Sequence, residues 1–462
     1  MRKYKILLIV ISVLLVAGML YAKGDKEEKR GKKAKEEAVS LEGVHLKICS
    51  IDYPNTRAEI EIKHEFEEET GITVEYIYFP WEGAHEKIKM EMATQGTSYD
   101  LFQYDSFLAI PLRMMDGFAP MDSYIEDPNL PDIDPESFVD NTWIHWGLYK
   151  DEVISVPTLH SVRLWGYRKD LFDDPAEKAN FKKEYGYELA PPETWDQVAD
   201  IAKFFTRDTD GDGKDDFWGI CDGFTIGPAW DMFADTYLTF NPIKDGKYWV
   251  DNDYNVIFDN DKAVKALQFW VDMADAGALA EGWLKRDWGS IRDVFDEGKT
   301  AMAGCWHDEF QYSETNPIVM GKVGYIKVPK YDVHHSQVSC QQYSINKYAS
   351  EEHKKAAYLY LSFIKDPAND LRMAMSQHKK MPDRMVNMTN PEVGEYQPYT
   401  AGAIQGFQTG IPIPLFPEFE ELYTELSIAV QSAMVHEKTA EQAIHDAAEA
   451  FTKVMEKAGY YK

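Results

Sequence analysis

Between Leu46 and Asp105 the chain reads strand, helix, strand, helix, strand with short connections, an order that dictates a parallel sheet with right-handed crossovers. Leu46 to Ile51 is the first strand. Pro54-Asn-Thr opens a helix with Ala58, Ile62 and Phe66 at i, i+4, i+8, and Gly71 closes it. Ile72, Val74, Tyr76 and Tyr78 then alternate with polar residues, as a second strand requires. A helix from about Ala84 to Gln95 carries Ile88 and Met92 on one face, and Asp100 to Asp105 is the third strand. In an open α/β sheet, ligands gather beyond the carboxyl ends of the strands. The pattern therefore aligns Asp52, Tyr53, Trp81, Tyr104 and Asp105 along one edge as candidate binding residues.

A second such strand runs from Ala301 to Cys305, small and apolar enough to be buried on both faces of a parallel sheet. It delivers Trp306, His307, Asp308 and Glu309 to its end. A flat π-face beside hydrogen-bonding groups suits the gripping of a polar ring, so Trp306, His307 and Asp308 join the candidates. Strands are also expected at Val153–Pro157, Val162–Tyr167, Phe217–Cys221, Val323–Pro329 and Val338–Ile345. Thr158-Leu-His160-Ser161 between the first two reads as a hinge crossing, with a second near Val328. Trp230 lies beyond the far end of the Phe217 strand, and Pro412, Pro414 and Pro417 frame Phe416 and Tyr423. Thr194 with Gln197, and Thr439 with Gln442, carry capping-box spacing at two helix starts.

Asp208-Thr-Asp210-Gly-Asp212-Gly213-Lys214-Asp215-Asp216 has the D-x-D-x-D-G spacing that turns carboxylates around a cation. Asp208, Asp210 and Asp212, the Lys214 carbonyl and Asp216 are the candidate ligands of a structural calcium ion. Position twelve, where a bidentate glutamate belongs, is Gly219. No cofactor is otherwise expected.

At 462 residues the chain is long enough for two domains. A formal net charge of −29 should repel nucleic acid and anionic membranes. Residues 1–22, with Arg2, Lys3 and Lys5 before an apolar run from Ile6 to Leu20, read as a secretory signal. Residues 23–40 form a charged tether with little to bury. Export to a periplasmic or extracellular location follows. Leu15-Val-Ala-Gly-Met19 has methionine where a lipidated cysteine would stand, so no lipid anchor is expected. Cys49, Cys221, Cys305 and Cys340 are too scattered for a zinc site or a Cys-x-x-Cys pair and read as small core residues.

From about Leu41 onward the order of these elements resembles the extracellular solute-binding proteins of ATP-binding-cassette importers, the sugar-binding family that includes maltose-binding protein. The landmarks are Phe66-Glu-Glu-Glu-Thr-Gly71-Ile-Thr-Val74, Tyr99-Asp-Leu-Phe102, Ile154-Ser-Val-Pro157 leading to Trp165-Gly-Tyr-Arg-Lys-Asp170-Leu-Phe172, Pro192-Glu-Thr-Trp195, and Gly298-Lys-Thr-Ala-Met302-Ala-Gly-Cys-Trp306. The resemblance implies an α/β, two-lobe periplasmic-binding-protein fold with hinge crossings and an interlobe ligand cleft. It divides the chain into an N-terminal lobe of 41–158 and 329–378 and a C-terminal lobe of 159–328 and 379–462. It implies a monomer that captures a carbohydrate by closure and delivers it to a membrane permease, with no catalysis. Trp306 falls where relatives often stack an aromatic on a sugar. Asp52, Tyr53, Tyr104 and Asp105 fall in the first-lobe binding region, and Trp230 and Tyr423 also match. His160-Ser161 stands where some relatives hold a ligand carboxylate, a departure that leaves the particular sugar open. The alternatives are a binding protein for a non-sugar solute, with Arg57 or Arg163 meeting an acidic group, and a secreted glycoside hydrolase using Asp308 with Glu309 or Asp105. A calcium-dependent adhesin is disfavoured because no internal repeat is found.

Overall fold

The computed structural model describes residues 41–139 and 146–461, without the side chains of 81 and 82. The signal and tether segments expected over residues 1–40 lie outside the described residues. Two compact units emerge, one of residues 41–104, 112–157 and 342–373, the other of 105–111, 158–341 and 374–461.

The first unit begins with β1 (His45–Ile51), α1 (Pro54–Thr70), β2 (Thr73–Phe79), α2 (Trp81–Ala93) and β3 (Leu101–Asp105). β1 pairs parallel with both β2 and β3, Ile48 standing level with Tyr76 and Leu101. Pro54 at the first helical position of α1 fits because no backbone N–H is needed there, and Gly71 at φ +71° closes the helix in the left-handed conformation. α1 buries Ala58, Ile62 and Phe66, as its spacing predicts. The chain returns later as α8 (Glu351–Ile364), capped by the Ser350 hydroxyl, and lays Tyr360 edge-on to Phe66. Glu59 is fully buried in this core. It accepts hydrogen bonds from Tyr76 and Tyr343 at 3.0 and 2.7 Å, with the Lys365 ammonium 3.9 Å away, so the buried charge is both paired and bonded.

The second unit is entered along β4 (Val156–Arg168). α3 (Trp195–Phe205) starts at the Thr194 and Gln197 capping box expected from sequence, and β5 (Trp218–Cys221), α4 (Pro228–Tyr237), α5 (Asp261–Asp275) and α6 (Trp288–Asp296) follow. β6 (Thr300–Trp306) runs into α7 (His307–Ser313), β7 (Val323–Lys327) and β8 (Ser336–Ile345). After α8 come α9 (Tyr399–Gln408), β9 (Gly410–Pro412), α10 (Phe419–Met434) and α11 (Ala440–Ala458). β6 is parallel to β5 and antiparallel to β4, and β4 carries β7 antiparallel on its other side. The expected break at Thr158–Ser161 does not occur. β4 is one continuous strand with every residue from Val156 to Gly166 buried, so the two strands expected on either side of Thr158–Ser161 are one. All four cysteines are buried, as small core residues.

Gly219 lets α3 lie directly on β5: a Cβ there would stand 2.0 Å from the Ala202 carbonyl oxygen. Backbone cannot yield as a flexible side chain can. Gly219→Ala is therefore expected to destabilise the protein at the upper end of the roughly 1–3 kcal/mol typical of overpacking. A fall in the urea midpoint is the readout, and an unchanged midpoint would contradict this packing.

Candidate functional site

In the second unit two half-buried tryptophans meet on one carboxylate. Pro228 opens α4 and puts Asp231 in its first turn, 2% exposed. Asp231 Oδ2 accepts hydrogen bonds from Trp306 Nε1, at the end of β6, and from Trp288 Nε1, at the start of α6, at 2.8 and 2.7 Å. Asp287 fixes the start of α6 by capping it against Ser290. Both indoles thus turn their N–H edges inward while remaining partly open to solvent. Gly227, at φ +106°, lies beneath: a Cβ there would meet the Trp288 ring at 2.6 Å and the Tyr423 hydroxyl at 2.7 Å. Tyr423 also contacts Phe107 and Trp230, ring centroids 4.4 and 5.7 Å away.

Behind this aromatic cluster lies a buried ionic core. Arg163, fully buried on β4, donates through Nε and Nη2 to Asp235 Oδ2 at 3.1 and 2.9 Å and approaches Asp231 at 3.8 Å. Its guanidinium lies 5.8 Å from the Trp306 ring. Gln337 ties the layers together, donating to Asp235 Oδ1 and the Asp231 carbonyl and accepting from Trp230 Nε1. Burial pushes the Asp231 carboxyl up to about 6, while Arg163 and the two indole donors pull it down. Asp222, also buried, is raised well above the usual carboxylate range by desolvation.

Among the sequence candidates, this cluster brings together Trp230, Trp306 and Tyr423. Trp230 is its buried floor, at 2% exposure, and Trp306 its partly open wall. Asp105 is half-buried and accepts from the Phe107 backbone N–H at 2.9 Å. His307 is fully buried, and its Nδ1 takes a long 3.4 Å bond from the Val162 backbone N–H. Burial, then the charges of His160 and Lys380, push its pKa down to about 3, so it is neutral near pH 7. Burial and then the neighbouring Glu309 raise Asp308, while Glu309 pairs with Arg292 at 2.8 Å. His160 is buried 3.4 Å from Asp383, which pairs with Lys380 at 2.8 Å.

In the first unit, Asp52 is exposed just past β1 and holds Arg57 through two bonds of 2.8 and 2.9 Å, which lower its pKa. Tyr53 is half-buried at the start of α1. Tyr104 is fully buried, stacked on Phe118 and bonded to Ser344. Trp81 opens α2 beyond the same sheet edge as Asp52, and its side chain lies outside the described residues. Of the calcium candidates, Asp208, Asp210 and Asp212 each bring one oxygen within 4.8 Å of the others. Asp216 accepts from Thr209 and Lys214 is exposed, its backbone N–H donating to Asp212. Trp288 and Asp231 were not among the sequence candidates. The signals for them were the Asp287–Ser290 cap and the adjacency of Asp231 to Trp230, and neither reveals that the two side chains meet.

A family model described as bacterial extracellular solute-binding protein matches residues 54–370. A curated relative, a "probable amino-acid ABC transporter periplasmic-binding protein" of Sinorhizobium fredii, is 23% identical over 406 residues, 87% of each chain. Maltose-bound MalE3 of T. maritima superposes with a TM-score of 0.74 at 22% identity, covering 89% of this chain and 100% of that one. An ABC transporter solute-binding protein of Agrobacterium radiobacter K84 in complex with ribitol gives 0.75 at 19% identity, over 90% and 99%. One from Agrobacterium vitis S4 with bound D-mannitol gives 0.73 at 19%, over 91% and 100%. The fold is that of the two-lobe periplasmic binding proteins. Among the described residues no helix is long and apolar enough to cross a membrane.

Proposed function

The chain belongs to the bacterial extracellular solute-binding proteins, a non-enzymatic family, and from that premise we propose that it captures a carbohydrate against Trp288 and Trp306 and passes it to the membrane permease of an ATP-binding-cassette importer. The observation that carries this reading is the pair of half-buried indoles with their N–H edges fixed on Asp231. What remains free on each ring is apolar surface, which suits the C–H face of a pyranose, while flanking polar groups meet its hydroxyls. The relatives solved with maltose, ribitol and D-mannitol support a polyhydroxylated solute.

The second reading is an amino-acid solute, which the name of the Sinorhizobium relative favours. An α-carboxylate calls for an accessible cation. Arg163, the cation beside the indoles, is fully buried and occupied by Asp235 and Asp231, which supports the carbohydrate instead. The Asp208, Asp210 and Asp212 oxygens support a structural calcium ion held away from capture.

Thermal-shift screening against mono- and oligosaccharides, with the common amino acids as a second panel, is expected to raise the melting temperature with one sugar class. Trp306→Ala should weaken that sugar at least about tenfold, the equivalent of about 1.4 kcal/mol. A shift produced by amino acids alone, or a Trp306→Ala variant of full affinity, would overturn the reading. Calcium should raise the melting temperature of chelator-treated protein, and an identical melting curve with and without it would remove the ion from the account.

A further inference from the structure

We propose that Asp231 is a positioning residue for capture: one buried carboxylate oxygen holds the Trp288 and Trp306 indoles together, so that its ionisation sets the affinity of the face they form. The inference rests on the carbohydrate reading above, because it assigns the ligand to those two rings. The two tryptophans come from different elements, α6 and β6, yet both donate to Asp231 Oδ2. Hydrogen bonds to an ionised acceptor are about twice as strong as neutral ones, and each fixes a direction as well as a distance.

The acceptor is itself held from several sides. Its backbone carbonyl takes a bond from Gln337 on β8, and its Oδ2 stands 3.8 Å from Arg163 on β4. The charged groups that face it are Arg163, Asp235 one turn along α4, and Asp222 after β5. The neighbours from α6 and β6 are neutral indoles. The helices packed on α4 bring Trp270 from α5, bonded to the Met232 carbonyl, and Tyr423 from α10, against Trp230. Asp222 Oδ2 is buried without a hydrogen-bond partner, and desolvation raises the carboxyl well above its usual range. The Arg163 guanidinium pairs with Asp235 at 2.9 Å and with Asp231 at 3.8 Å.

Burial leaves Asp231 titrating at about 6. Above that pH it is a carboxylate with lone pairs for both indoles, and below it a neutral acid that binds them more weakly. Affinity should consequently be full above about pH 6 and fall as the pH drops through it.

The test begins with the free protein, so that it does not depend on the choice of sugar. Proton–nitrogen spectra of the indole N–H groups, recorded from pH 5 to 8, are assigned with Trp288→Phe and Trp306→Phe. Those two resonances should titrate together with a shared midpoint near 6, and Asp231→Asn should abolish the titration. Resonances that stay fixed, or that titrate apart, would overturn the proposal even if Asp231→Asn fails to fold. Isothermal titration with maltotriose, the probe sugar, should then show affinity about tenfold weaker at pH 5 than at pH 7.5 in the wild type and no pH dependence in Asp231→Asn. A pH-independent wild-type affinity would overturn the link from ionisation to capture. No binding of maltotriose at pH 7.5 would count against the carbohydrate reading, and the indole titration would still decide the role of Asp231.

Discussion

A carboxylate removed from water is costly unless it is paired and hydrogen-bonded, and Asp231 meets that condition in an unusual way. Its partners are a guanidinium behind it and two indole N–H groups in front. Each indole must bring its nitrogen to one oxygen, so satisfying the charge also dictates how the rings stand. The ring surface offered to solvent is a by-product of solving a buried electrostatic problem. Arg163 is subject to the same logic: Asp235 engages it twice, which anchors the cation that Asp231 needs.

The surrounding fold supplies rigidity at the points where this arrangement demands it. β6 runs between β4 and β5, so Trp306 leaves a strand braced on both sides. Trp288 begins a helix whose first turn is locked by reciprocal bonds between Asp287 and Ser290. Gly227 has both a left-handed backbone and no room for a side chain, because the Trp288 ring and the Tyr423 hydroxyl occupy the space. The first unit solves its own buried-charge problem with different chemistry, surrounding Glu59 with tyrosine hydroxyls and Lys365.

Much of this was legible in the residues, and the limit follows from geometry. Strand ends are encoded locally, through apolar runs and glycine stops, so the location of Trp306 at the end of β6 and of Asp52 after β1 could be read directly. Helix starts were equally local, as Thr194 with Gln197 shows. The direction of a side chain is not encoded locally. His160 and His307 are polar residues in polar-looking stretches, yet both are buried, because the elements covering them lie far away in sequence. The meeting of Trp288 and Trp306 on Asp231 spans 75 residues and depends on how α4, α6 and β6 pack, which no short spacing reveals. The polar run at Thr158–Ser161 reads as separating two strands for the same reason: its neighbours in space, not in sequence, decide that it continues one interior strand.

The central claim is that a carbohydrate rests on the Trp288 and Trp306 rings. A crystal structure with the tightest-binding sugar tests it most directly. The account predicts a sugar ring in van der Waals contact, within about 4 Å, with at least one of the two indoles, whose nitrogens remain on Asp231. A ligand seated away from both rings would contradict it.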